Sequence, residues 1–253
     1  MKIAATTVGT QGPETPAQNQ QRLEAAKHAL IKAKAIEADV LVLPGGFFTS
    51  GDSQSREHIA NSLISEAKRS DMAVVFGVDE IGPGSSQVGA KGKWRKQTTG
   101  WWPETPMYGY AWSPTEKATH CWRQRSTNRT DQWLVDDKRC KEVRLLMIGD
   151  EALGVLMCGE IFNERIRDAL RKHEPRPKVV ADLGHEGRWY RVHHGMEALA
   201  EGEQGIASMC SLHVQGQNAK KRYCTPSRGY MSTNVSDRIV YGPPRIEIKL
   251  WEF

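Results

Sequence analysis

Cys158 is the residue whose type and position point most directly to chemistry. It follows the apolar run Leu153–Met157 and precedes Gly159 and Glu160, after which a helical pattern begins. A thiol at the corner between a strand and a helix is exposed at the edge of a sheet, where backbone N–H groups can stabilise a developing oxyanion. The sequence therefore predicts Cys158 as a nucleophile, and the alternative is a buried cysteine that ends a core strand.

Three carboxylates are candidates to act as acid or base for such a nucleophile. Glu160 is the nearest in sequence, and we take it as a candidate catalytic residue. Asp79 and Glu80 end another apolar strand and are weaker candidates. All three equally suit a solvated loop.

Histidines offer a second way to activate the thiol. His185, His193 and His194 follow the cysteine in the sequence, and the last two begin a predicted helix, where histidines commonly act as caps or face solvent. They lack the i, i+4 spacing of a helical metal site, so we predict neither a metal nor any other cofactor.

Residues 82–133 form a basic, tryptophan-rich segment that we predict to be an irregular insertion. The excess of five positive charges lies between Lys91 and Asp131, and six of the eight tryptophans fall in the segment: Trp94, Trp101, Trp102, Trp112, Trp122 and Trp133. Such a mixture could stack on nucleic-acid bases, cover a pocket or form a subunit contact. Its prolines and glycines favour a folded loop at the pocket mouth, and we do not expect nucleic-acid binding.

The elements around these residues alternate between strand and helix. Strands are predicted at Lys2–Val8, Val40–Leu43 and Ala73–Val78, with helices between them, a pattern that favours a layered α/β sheet. A hairpin over 143–157 leads to Cys158, and helices at 163–173 and 192–201 then alternate with strands at 178–181 and 205–209. The alternating residues 245–251 predict a last, half-buried strand.

Length and composition limit the class of protein. The 253 residues suit one domain over 1–253, and 39% hydrophobic and 26% charged residues are typical of a soluble globular protein. We find neither a membrane-spanning run nor a signal-peptide core. The five cysteines include no CxxC pair, which favours a reducing cytoplasm over a disulfide framework or a zinc knuckle.

Three motifs, taken in order, resemble a known family. They are Val40–Pro44, Val75–Val78, and Gly154–Glu160 with Arg165. Together they resemble the nitrilase superfamily of carbon–nitrogen hydrolases. The resemblance implies an α/β fold, a four-layer α-β-β-α sandwich, that commonly forms homodimers or larger homo-oligomers.

The same resemblance implies a Glu-Lys-Cys triad acting on a small amide-like ligand, of which only Cys158 is present here. The glutamate position falls on Gly45 and the lysine position on Gln124. Arg123, Phe162 and Asn163 flank the triad positions and are candidates to line the pocket. Arg123 and Arg125 cannot simply replace the lysine on a strand, because adjacent side chains point to opposite faces.

The missing residues define the expected function. An ordinary cysteine is only roughly 3% thiolate at pH 7, and loss of the base removes a factor on the order of 10²–10⁴ in rate. We therefore expect an atypical amidase-like hydrolase that keeps its cysteine nucleophile but has a degenerate triad. The alternatives are a pseudoenzyme that binds a small ligand or a partner protein, and a nucleic-acid-binding protein on the same scaffold.

Overall fold

The structure is a computed structural model, and it describes residues 1–10, 16–80, 107–126, 141–184, 189–215, 233–235 and 245–253. The helices in these ranges are α1 Asn19–Ala35, α2 Ser53–Ser70, α3 Glu164–Arg171 and α4 Trp189–Ala200. The strands are β1 Lys2–Thr10, β2 Val40–Val42, β3 Phe48–Ser50, β4 Ala73–Glu80, β5 Met107–Trp112, β6 Thr119–Arg123, β7 Leu145–Ile148, β8 Glu151–Leu156, β9 Val179–Gly184, β10 Ala207–Gln215, β11 Thr233–Val235 and β12 Arg245–Glu252.

The strands form one curled sheet in the order β6-β5-β4-β2-β1-β10-β9-β8-β7, in which β12 also pairs with β1. The central pairs β4-β2, β2-β1, β1-β10, β10-β9 and β9-β8 are parallel. The carboxyl ends of these strands therefore meet at one edge of the sheet, the usual place for a ligand site in α/β folds. Gly45 and Cys158 follow β2 and β8 at this edge.

Two cores show that the sheet is folded into an α-β-β-α sandwich. One core contains α1, α2 and one face of β1, β2, β4 and β12. The other lies between the two halves of the sheet and extends to α3 and α4. A Cβ on Gly109 of β5 would lie 2.9 Å from Met157 Sδ and 3.6 Å from Leu183 Cδ1, so the two halves face each other directly. The predicted fold class is confirmed.

The helices form where the sequence pattern predicts them. On α1 the apolar face of Leu23, Ala26, Leu30 and Ala33 is buried, while the residues on the opposite face are exposed. Asp52 caps α2 by accepting a hydrogen bond of 2.7 Å from the Ser55 N–H. Asn163 caps α3 in the same way through the Arg165 N–H.

The basic, tryptophan-rich segment is more regular than predicted in the part that the structure describes. Residues 107–126 contain the hairpin β5–β6, which extends the sheet beyond β4. Trp112 is buried in the core that contains α1 and α2, and Trp122 packs against the core between the sheet halves. This pairing was missed because the apolar run of β5 lies among prolines and glycines, and its partner β6 has little apolar character. Trp94, Trp101, Trp102 and Trp133 lie outside the described residues.

Close backbone packing at Gly77 gives a test of this fold. A Cβ at Gly77 would lie 2.8 Å from the Gly45 Cα, a backbone atom that cannot rotate away. We expect Gly77→Ala to lower the free energy of unfolding by about 1–3 kcal/mol in urea denaturation. The control is Gly51→Ala, because a Cβ at Gly51 meets nothing within 4 Å. Equal stability of the two variants would contradict the packing of the loop after β2 against β4.

Candidate active site

Cys158 lies at a strained corner between a strand and a helical turn. It follows β8 by two residues, begins the 3₁₀ turn Cys158–Phe162 and has a φ of 48°, in the left-handed region. A non-glycine residue in this conformation costs on the order of 1–3 kcal/mol and persists only where its surroundings impose it. The Cys158 side chain is half-buried and forms no disulfide. The predicted strand-to-helix corner is therefore present.

Met157, the residue before the cysteine, is held at both of its backbone polar groups. Its N–H donates to Glu160 Oε2 over 3.2 Å. Its carbonyl accepts from the Glu160 N–H over 3.1 Å and from Gln124 Nε2 over 3.2 Å. These bonds fix the peptide planes that lead into Cys158, and so they hold this residue in its strained conformation.

Glu160 belongs to a buried cluster with two arginines. Its carboxylate is fully buried and accepts from Arg125 Nε over 3.2 Å and from Arg144 Nη1 over 2.8 Å. The backbone N–H of Arg125 also donates to Glu160 Oε1 over 2.6 Å. The loop solvation considered for Glu160 is thus wrong, because two guanidinium groups and two backbone N–H groups replace water around the carboxylate.

The two arginines extend the cluster to neighbouring backbone. Arg144 Nη2 donates to the Arg123 carbonyl over 2.7 Å, and Arg125 Nη1 donates to the Glu142 carbonyl. Burial lowers the pKa of Arg144 to about 10, an effect that Glu160 opposes and Arg125 reinforces. Arg144 therefore stays protonated at neutral pH.

The segment that follows β6 places Gln124 beside Met157, the residue before Cys158. Gln124 is buried, its N–H donates to the Met107 carbonyl over 2.8 Å, and its side chain reaches Met157. Arg123 is exposed at the end of β6, where it lies opposite Tyr108 of β5 in the strand register. Strand alternation ends at Arg123, which is why Arg125 can turn inward to Glu160.

Gly45 lies across two strands from Met157, the residue before Cys158. Its backbone packs against Gly77 of β4, Gly77 pairs with Gly109 of β5, and Gly109 faces Met157. The loop that carries Gly45 is anchored by α1, since the buried Arg22 donates to the Phe47 carbonyl over 2.7 Å. Gly45, Gln124 and Cys158, to which the resemblance assigns the triad, thus border one region at the carboxyl edge of the sheet.

The other predicted pocket residues lie around the turn that begins at Cys158. Phe162 packs against the core between the sheet halves, and Asn163 is buried. Among the described residues, Asn163 Nδ2 and the buried Ser126 Oγ have no hydrogen-bond partner. Leaving such groups unpaired costs about 1–3 kcal/mol each.

The remaining acid–base candidates are engaged elsewhere. Glu80 pairs with Arg56, while Asp79 is buried at the end of β4. His193 and His194 both contact Glu197 on α4, at 3.2 and 3.5 Å. His185 lies outside the described residues.

Metal-ligating side chains are not grouped in the part of the chain that the structure describes. Within those ranges, no group of three or more His, Cys, Asp or Glu side chains is arranged to hold a metal ion. None of the helices in the same ranges is long and apolar enough to span a membrane.

Solved structures with the same fold are nitrilase-superfamily amidases. An amidase from Nesterenkonia sp. AN1 matches with a TM-score of 0.59 and 16% identity over 85% of this chain and 78% of that one. A glutamate-to-glutamine mutant of that amidase, with the acetamide moiety of fluoroacetamide covalently added at its active site cysteine, matches with a TM-score of 0.61, 16% identity and the same coverage. No protein-family model and no curated protein matches the sequence. The chain therefore has the fold of the nitrilase-superfamily amidases, as the resemblance predicted.

Arg144 is the residue of this region that the sequence did not single out. It is a single charge at the start of the apolar run 143–148, and a charge in that position could have suggested a buried ion pair. Its partner Glu160 lies 16 residues away. That distance in sequence hid the connection.

Removal of the Glu160 charge tests the buried cluster. We expect Glu160→Gln to lower the free energy of unfolding by about 3–5 kcal/mol, because two guanidinium groups lose their buried counter-charge. Glu24→Gln, which removes one partner of the exposed Lys27–Glu24 pair, should change it by about 0.5 kcal/mol or less. Urea denaturation measures both. Similar small effects in the two variants would show that the cluster is not buried as described.

Proposed function

We propose that the protein is a nitrilase-superfamily hydrolase-like protein that uses Cys158 as a nucleophile on amide-like carbon but turns over slowly, because its triad is degenerate. The observation that carries this proposal is the left-handed conformation of Cys158, held by Gln124 and Glu160. Strained backbone of this kind clusters at functional sites. Its presence favours retained chemistry at the thiol.

The reaction would follow the ordinary course of cysteine acyl transfer. The Cys158 sulfur forms a bond to the amide carbon, the carbon–nitrogen bond breaks, and the amine leaves with a proton. Water then hydrolyses the thioester to release the acid. We propose that backbone N–H groups of the turn that follows Cys158 stabilise the oxyanion.

Proton transfer to the leaving amine is the step that the degenerate triad slows. Gly45 supplies no carboxylate, and the Glu160 carboxylate is engaged by Arg125 and Arg144. We therefore propose that Glu160 positions the nucleophile rather than acting as its general base. Without a base, protonation of the leaving amine falls to solvent, which lowers the rate by a factor on the order of 10²–10⁴.

A catalytically silent binding protein is the second candidate. The neutral residues Gly45 and Gln124 favour it, as do the unpaired polar atoms of Asn163 and Ser126, which could bond a small ligand. The two candidates differ in one property. Only the hydrolase-like protein needs a reactive sulfur at Cys158.

Covalent labelling and turnover together test the proposal. A mutant of the Nesterenkonia amidase adds acrylamide at its active site cysteine. We expect acrylamide to label Cys158 faster than the exposed Cys121, as read by mass spectrometry of peptides. We expect simple aliphatic amides to be hydrolysed well below about one turnover per second, the low end of ordinary enzymes.

The control is Cys158→Ala, which should remove the fast label and any residual hydrolysis. Labelling of Cys158 no faster than that of Cys121 would favour the silent binding protein. Turnover of about one per second that is lost in Cys158→Ala would instead show that another group acts as base.

A further inference from the structure

We propose that the buried Arg125–Glu160–Arg144 cluster supplies to Cys158 the positive charge that the neutral Gln124 lacks, and so favours the thiolate. This inference rests on the proposed role of Cys158 as a nucleophile. It assigns a positioning and electrostatic function to Arg125 and Arg144, which do not themselves contact the reacting carbon.

The cluster is joined directly to the backbone of the nucleophile. Glu160 lies two residues after Cys158, and its carboxylate bonds the Met157 N–H over 3.2 Å. The N–H of Arg125, which bonds the same carboxylate over 2.6 Å, belongs to the residue after Gln124. The cluster therefore connects the lysine position of the resemblance to the corner that carries the thiol.

The charges of the cluster do not cancel. Two guanidinium groups face one carboxylate, so these three side chains, which are at most 4% exposed, together carry a charge of +1. The Glu142 carboxylate also acts on Arg144, but Glu142 is exposed, so solvent screens its charge. Water screens the buried charge of the cluster poorly. At an effective dielectric constant of about 20, its interaction energy with another charge several ångströms away is well above thermal energy. A positive charge near a thiol favours its thiolate form.

Other charged groups surround the corner and set the background. On β9 the charged residue is Asp182, which pairs with Leu156. On α4, which packs on Ile161 through Gly195, they are His193 and Glu197. On α3 they are Glu164, Arg165 and Arg167. Of these, Arg167 Nη1 donates to the Ile161 carbonyl over 2.8 Å, at the far end of the turn. The test therefore compares variants and does not depend on an absolute value.

Alkylation by iodoacetamide reads the thiolate without requiring turnover. The thiol loses its proton to solvent, the thiolate sulfur forms a bond to the reagent carbon, and iodide leaves. The rate of modification of Cys158, followed by peptide mass spectrometry in a Cys121→Ser background, then rises with pH through a midpoint that reports the thiolate fraction.

Removing a positive charge or the negative charge from the cluster should shift the alkylation midpoint in opposite directions. Arg144→Met leaves a neutral cluster and should raise the midpoint, whereas Glu160→Gln leaves a net charge of +2 and should lower it. Each shift should be on the order of one pH unit. Arg69→Met, which removes an exposed arginine of α2, should leave the midpoint unchanged.

A purely structural role gives a different result. Midpoints that move in the same direction, or do not move in variants with a wild-type circular dichroism spectrum, would overturn the inference. If Glu160→Gln does not fold, Arg144→Gln and Arg144→Lys decide the question, because only the first removes the charge and should raise the midpoint. A Cys158 that is unreactive at every pH in the otherwise unaltered protein would contradict the proposed function as well.

Discussion

The left-handed backbone of Cys158 is the constraint on which the rest of the site depends. It turns the chain sharply at the carboxyl edge of the sheet and is held through Met157 by Gln124 and Glu160. Glu160 can reach back to Met157 only because Arg125 and Arg144 satisfy its buried charge. An interaction between residues far apart in sequence thus determines the geometry of the thiol.

The strand-to-helix corner at Cys158 is present, while the groups available for proton transfer differ from those that the resemblance implies. The sandwich and the parallel strand ends match the fold of the solved amidase, while Gly45 and Gln124 are neutral residues at the positions to which the resemblance assigns a glutamate and a lysine. A cluster with net positive charge lies one residue beyond Gln124, where the strand has ended and the side chain can turn inward. In the proposed function, this arrangement favours a reactive sulfur more than it favours proton transfer to a leaving amine.

Much of this could be predicted from the sequence because it depends on local patterns. The apolar runs of β2, β4 and β8, the buried face of α1 and the position of Cys158 after a strand each involve only nearby residues. The pairing of β5 with β4 and the burial of Glu160 depend on partners distant in sequence. Arg125 meets Glu160 across 35 residues, and no periodicity reports such a contact.

The most direct test of this account is the titration of the Cys158 thiolate itself. The ultraviolet absorbance of thiolate, recorded against pH for the protein and for Cys158→Ala, gives the titration of this single sulfur by difference. The account predicts a midpoint below about 8.5, the value of an ordinary cysteine, because the arginine cluster favours the charged form. A midpoint at or above about 8.5 would contradict it.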